Sequence, residues 1–303
     1  MKRPSDIAKL RTERRNPAAA LDTRSAREIA RLINREDARV AGAVGQALPA
    51  IARAIDAIAG ALARGGRLIY VGAGTSGRIA ALDAVECPPT FGTSPRSVQY
   101  VIAGGRRALG TASEVSEDSP AMGRRDMSKT KPGENDVVVG VAASGRTPYT
   151  LAALEFARRR GARTVAVTCN PRSPLARAAH IAIVTAVGPE VVVGSTRMKA
   201  GTAQKMVLNL LSTGAMARLG YVYGNLMVNV DTKNKKLVER GVAILQQAAG
   251  VPRRQAQRAL RAAGMSVPVA LVMLKTGLGR AAAQRRLRQA RGHVRRALED
   301  GSW

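Results

Sequence analysis

Three stretches of the chain bring hydroxyls, glycines and cations together in a way that suits an anionic ligand. The first is VGAGTSGR (71–78), carrying Thr75 and Ser76. The second is GVAASGRT (140–147), carrying Ser144 and Thr147. The third is GPEVVVGSTRMKAGTAQK (188–205), carrying Ser195 and Thr196. A glycine-rich turn that leads from a strand into a helix leaves backbone N–H groups unpaired, and the helix dipole adds positive potential there, so an anion is its natural occupant. Carboxylates accompany two of the stretches. Glu86 follows the first, in a run of apolar residues closed by Cys87-Pro88-Pro89, and Glu114, Glu117 and Asp118 lie in TASEVSEDSP. A lone glutamate is usually a solvated helix residue or a partner of the helix dipole. For Glu86 the apolar and proline neighbours predict desolvation, which raises a carboxyl pKa toward a value useful for proton transfer. The expected chemistry is acid–base work by carboxylates on a bound anion.

Other chemistries have little to draw on. His180 opens a strand pattern and His293 lies in an arginine-rich tail, both away from the loops. Cys87 sits at a helix end whose dipole disfavours a thiolate, so it is expected to be buried and inert. Two cysteines supply neither a disulfide framework nor a metal cluster. Gly72, Gly74 and Gly77 satisfy the dinucleotide-binding glycine spacing. That reading wants an acid at the end of the second strand to hold a ribose, and residues 91–105 contain no Asp or Glu, although Arg96 would accommodate a 2′-phosphate. For Ser195 and Thr196 the ordinary alternative is capping of the following helix; two similar loops elsewhere favour ligand contact.

The elements that must position these residues follow from periodicity. Apolar runs predict strands at 67–72, 98–103, 136–142, 163–168 and 180–185, nearly continuous in apolar residues as in strands covered on both faces. Helical patterns separate most of them, including Tyr149 to Arg160, and a long helix is expected from Lys199 to Leu219. Strands alternating with helices predict an α/β fold, a doubly wound parallel sheet flanked by helices. Ligands bind such sheets beyond the C-terminal ends of the strands, where the first two loops fall. Ahead of the sheet, Ser25 and Glu28 have capping-box spacing, and an amphipathic pattern runs from Asp37 to Arg64. The expected organisation is an N-terminal arm and helices packing on the core (1–66), the α/β core (67–220) and a C-terminal helical subdomain (221–303). Residues 1–23 are polar and expected to dock as an arm.

Net charge is +28, from 49 basic and 21 acidic residues. Residues 251–303 hold twelve Lys or Arg against two acids, with Arg alternating with Ala and Leu at helical intervals. That pattern predicts solvated faces of short amphipathic helices. Aromatic content is only 3%, which argues against base-stacking recognition of nucleic acid; the positive field would still draw anionic substrates inward. No apolar run reaches the length of a membrane span, and the first residues lack the apolar segment of a signal peptide. A cytoplasmic protein is expected.

The loops resemble those of SIS (sugar isomerase) domains, which bind phosphosugars through Ser/Thr-rich turns. More closely, the chain resembles the N-acetylmuramic acid 6-phosphate etherase family over nearly its whole length. The resemblance is carried by TERRN (12–16) and LD (21–22), IYVGAGTSGR (69–78), LDAVECPPTFG (82–92), IAGG (102–105), SED (116–118), AASGRTPY (142–149), CNP (169–171), GPEVVVGSTRMKAGTAQK (188–205) and NLMV (225–228). Val85 stands where the family has Ser, VSEDS replaces a Gly-Ala-Glu-Asp sequence, and the basic tail is unusual. The resemblance implies a SIS fold and cleavage of a D-lactyl ether by elimination and water addition, in peptidoglycan recycling. It places the two catalytic acids on Glu86, as proton donor to the departing oxygen, and Glu117, acting at C2. Thr75, Ser76, Ser144, Thr147, Ser195 and Thr196 would hold phosphate and sugar hydroxyls. No metal, hydride carrier or other cofactor is needed. It further implies a homodimer with sites at or near the subunit boundary. A phosphosugar-binding regulator without turnover, similar to the glucokinase regulatory protein in its SIS loops, and a phosphosugar isomerase are the competing expectations.

Overall fold

The computed structural model describes residues 10–16, 20–111, 114–230, 232 and 234–299. Five parallel strands form one sheet: β1 (Leu68–Gly72), β2 (Val98–Ile102), β3 (Val137–Val141), β4 (Arg163–Thr168) and β5 (Ile181–Val184), in the order β2-β1-β3-β4-β5. All five expected strands are present. Their apolar runs are continuous because the central strands are covered on both sides; every residue of β1 and β3 is buried. The order reverses between β1 and β3, and such a switch point leaves a crevice beyond the strand ends. The first two hydroxyl-bearing loops leave β1 and β3, so the topology alone sets them side by side.

Before the sheet come α1 (Ala26–Asp37), α2 (Val40–Gly45) and α3 (Leu48–Ala63). Ser25 and Glu28 form the expected capping box on α1. The long pattern from Asp37 to Arg64 is divided between two helices rather than one. Between and after the strands lie α4 (Gly74–Phe91), α5 (Glu114–Glu117), α6 (Pro120–Lys129), α7 (Pro148–Arg159), α8 (Pro174–Ala178) and α9 (Lys199–Arg218). On one face of the sheet, Ile69, Val71, Val138 and Ala166 pack with Met127 of α6, Leu154 and Ala157 of α7 and Leu175 of α8. Each fully buried Val, Leu, Ile or Met side chain among these contributes roughly 1.5–3 kcal/mol. α3 crosses the sheet against β1, β3 and β5.

At the start of the sheet Arg67 ties β1 to the turn before β3. Its Nε and Nη2 donate to Asp136 at 3.1 and 2.6 Å, its backbone N–H to Asp136 Oδ1 at 2.9 Å, and its Nη1 to the Thr130 carbonyl at 2.9 Å. Burial acts to raise the Asp136 pKa, but these donors and the Gly133 N–H outweigh it and hold the carboxyl below its ordinary value.

The chain packs as two compact units: residues up to Ala84 with Arg96–Ser212, and Val85–Pro95 with the segment from Thr213 onward. The second contains α10 (Lys235–Ala249), α11 (Arg253–Ala262), α12 (Val267–Thr276), α13 (Arg280–Gln289) and α14 (Val294–Leu298). Its own core is built from Val242, Leu245, Leu260, Leu271, Leu287 and Val294. The arginines of α11, α13 and α14 lie on exposed or half-exposed faces, while Ala256, Leu260, Ala283 and Leu287 are buried, as the amphipathic spacing requires. Among the described residues no single helix is long and apolar enough to cross a membrane.

Candidate active site

The first loop turns from β1 directly into α4, so Thr75 and Ser76 lie in the first helical turn with their N–H groups unclaimed by earlier carbonyls of the helix. The turn is tight: a Cβ on Gly77 would lie 2.6 Å from Ile102 Cγ1 and 2.9 Å from the Gly72 carbonyl oxygen. Only glycine lets helix and strand approach so closely. Arg78 is engaged in structure, its Nε donating to the Ala108 carbonyl at 2.9 Å.

The second loop leaves β3 and enters α7 at Thr147. Gly145, at φ +65°, lies hard against Ser173 and Thr168, where any side chain would collide. Ser144 Oγ accepts from the Arg146 N–H at 3.2 Å, and the buried Arg146 Nε has no partner among the described residues. Thr147 Oγ1 donates to Glu117 Oε1 at 3.2 Å. The other Glu117 oxygen lies 3.8 Å from where a Cβ on Gly74 would stand. The Glu117 carboxylate, half-buried at the end of α5, therefore sits between the first loop and the second. The short helix α5 presents it, and α6 begins afterward behind its own cap, Ser119.

The third loop joins β5 to α9, and its cap is not a hydroxyl. Glu190, completely buried, accepts from the Lys199 N–H at 3.1 Å and the Ala200 N–H at 2.9 Å. Burial pushes its carboxyl up in pKa, while those two donors and the Lys199 charge oppose the shift. Ser195 and Thr196 are thereby spared the capping role that was their ordinary alternative. Lys199, also buried, pairs its Nζ with Glu36 Oε2 of α1 at 2.6 Å. A Cβ on Gly201 would lie 3.7 Å from Thr75 Cγ2 and 3.6 Å from the Thr196 carbonyl oxygen, which sets the first and third loops side by side. Sequence reasoning missed Glu190 and Lys199; a lone acid and a lone lysine bracketing an otherwise uncharged loop, Arg197 apart, were the available signal.

Glu86 is placed differently from expectation. Pro88 and Pro89 do not end α4, which continues to Phe91 and closes where the Gly92 N–H bonds back to the Pro88 carbonyl at 2.8 Å. Glu86 is exposed rather than desolvated, and its neighbours Leu82 and Val85 are 54% and 52% exposed. The sequence showed apolar neighbours but not that they face outward. Glu86 comes twelve residues after Gly74 along α4, more than three helical turns.

One further carboxylate is fully enclosed. Asp83 accepts from Tyr70 Oη at 2.8 Å, Asn209 Nδ2 at 2.7 Å and Ser212 Oγ at 3.0 Å, joining β1, α4 and α9. Burial nevertheless raises its pKa. Cys87 and Cys169 are both buried, and burial pushes the Cys169 thiol up to about 11. His180 accepts from the Thr164 N–H through Nδ1 at 3.0 Å and lies beside β4, away from the loops.

Comparison with known proteins places this arrangement. Residues 105–214 match the SIS domain family model, and residues 50–158 match the model of the glucokinase regulatory protein N-terminal SIS domain. A phosphoheptose isomerase structure from Francisella tularensis superposes with a TM-score of 0.50 at 17% identity, covering 63% of this chain and 98% of that one. That likeness shows the fold. Closer relatives are the N-acetylmuramic acid 6-phosphate etherase of Vibrio vulnificus, 52% identical over 97% of this chain and 99% of its own length, and that of Klebsiella aerogenes, 51% identical over the same shares. At about half identity over nearly the whole of both chains, the chain belongs to the N-acetylmuramic acid 6-phosphate etherase family.

Proposed function

We propose that the chain cleaves the D-lactyl ether of N-acetylmuramic acid 6-phosphate, giving N-acetylglucosamine 6-phosphate and D-lactate, as a cytoplasmic homodimer in amino-sugar recycling. The turns carrying Thr75, Ser76, Ser144, Thr147, Ser195 and Thr196 bind the phosphate and sugar hydroxyls. In the open-chain aldehyde the C2 proton is acidified by the neighbouring carbonyl, and Glu117 removes it. Glu86 protonates the C3 ether oxygen as the C3–O bond breaks and lactate leaves. Water then adds across the resulting C2–C3 double bond, its oxygen at C3 and a proton at C2. Two carboxyl groups suffice as proton carriers.

The observation that supports this reading most is the Glu117 carboxylate held between the first and second loops, hydrogen-bonded to Thr147. In this reading Glu86, exposed toward the end of α4, is the acid that a second copy of the chain supplies to the centre. Leu82 and Val85, apolar and exposed on the same helix, supply the surface such a copy would cover. Running the reaction in heavy water tests the chemistry: deuterium at C2 of the product is expected, and a product free of it excludes elimination through C2.

The match to the glucokinase regulatory protein domain favours a second reading, a phosphosugar-binding regulator without turnover. Release of lactate from the substrate separates the two.

A further inference from the structure

Three side chains of the segment Thr12–Asn16 reach the loop system. Thr12 is 1% exposed, and its Oγ1 accepts from Asn170 Nδ2 at 3.2 Å. The same Asn170 Nδ2 donates to the Ala143 carbonyl at 3.1 Å, the residue immediately before Ser144. That carbonyl also receives the Thr168 hydroxyl at 3.2 Å and the Cys169 N–H at 3.0 Å. Thr12 is thus one hydrogen-bonded step from the second loop. Glu13 lies against the third: a Cβ on Gly194, at φ +76°, would stand 3.0 Å from Glu13 Oε2. Asn16, buried, hydrogen-bonds Glu36, and Glu36 holds Lys199 at the base of that loop.

We infer that Thr12–Asn16 is a built-in brace that fixes the second and third loops relative to each other, with Thr12 and Asn170 as positioning residues for Ser144, Ser195 and Thr196. The inference rests on the proposed phosphosugar reading for its consequence, but not for its geometry. A five-residue segment with no core of its own gains order by hydrogen-bonding its polar side chains to Asn170 and Glu36. Fixing hydroxyl-bearing loops before the ligand arrives lowers the ordering cost of binding.

The test compares the full chain with Thr12→Val and Thr12→Ser. Valine keeps the shape and removes the acceptor from Asn170; serine keeps the hydroxyl. Hydrogen–deuterium exchange of the intact protein should quicken about tenfold in segments 142–148 and 190–198 of Thr12→Val and return to wild type in Thr12→Ser. In the same pair KM for the phosphosugar should rise about tenfold with valine, kcat changing less, and recover with serine. Exchange unchanged in those two segments, or quickened equally throughout the chain, overturns the brace. A wild-type protein that releases no lactate would sink the functional reading and leave the exchange result to decide this one. Should Thr12→Val not fold, Glu13→Ala, at a half-exposed position, is expected to quicken exchange in 190–198, and no change there counts against the inference.

Discussion

Thr147 stands at the N-cap of α7, yet its hydroxyl gives its hydrogen to Glu117, 3.2 Å away, instead of accepting one from the helix. A residue type that normally stabilises a helix end is here committed to orienting a carboxylate. Glu117→Gln should lower lactate release by about 10²- to 10⁴-fold, the usual range for one acid–base group. Thr147→Val should cost about tenfold or more, the value of one hydrogen bond to a charged group. Steady-state kinetics with circular dichroism to confirm the fold checks both; near wild-type turnover in Glu117→Gln removes it from the mechanism.

The proposed division of acids between subunits makes a sharper prediction. Glu86→Gln and Glu117→Gln should each be nearly inactive alone. If every site takes Glu86 from one copy and Glu117 from the other, mixed dimers regain one intact site, and randomly mixed chains recover about a quarter of wild-type activity. If both acids belong to one chain, mixing after unfolding and refolding restores nothing.

Lys199 and Glu36 form a buried ion pair whose two halves depend on each other. Lys199→Met strands the Glu36 carboxylate with Arg39 and Asn16 as its remaining partners among the described residues. A loss of about 3–5 kcal/mol is expected. The double variant Glu36→Leu with Lys199→Met should recover much of that loss, because no charge is left buried. Urea denaturation of the two singles and the double measures the coupling.

Asp136 gives the sheet a pH dependence with a definite sign. Its folded pKa lies below the unfolded value of about 3.9, so its contribution is complete above that pH and is lost as pH falls through the lower folded value. Asp136→Asn should therefore be less stable than wild type by ~2 kcal/mol at pH 7. The gap should narrow below about pH 4, as followed by urea unfolding at several pH values. A gap that stays constant into acid would assign the effect to packing.

Much of this was legible in the chain. Val137–Val141 and its fellow strands were visible because apolar runs bounded by turns have one stable destination, the middle of a covered sheet. The hydroxyl loops were visible because their glycines are demanded by local geometry, as at Gly77 against Ile102. The end of α4 was misread: Pro88 and Pro89 usually stop a helix, yet α4 runs on to Phe91 and closes with the Gly92 N–H on the Pro88 carbonyl. The Glu190 cap escaped because its partners are Lys199 and Ala200, across a loop rather than within a cap motif. The Thr12–Asn170 bond escaped for a stronger reason: its ends are 158 residues apart, and no local pattern encodes such a pairing.

The grouping of Val85–Pro95 with the C-terminal helices bears on how this molecule can be taken apart. A fragment stopped at Ser212 would keep the sheet but lose the segment that groups with Val85–Pro95, including the Asn229 backbone against which Gly92 is seated. Such a fragment should be sticky and poorly expressed, and the reciprocal piece, lacking 85–95, would be short of one wall. Gene dissection at the obvious midpoint is thus a poor strategy, and the end of the polypeptide is needed to finish a helix that began before its middle.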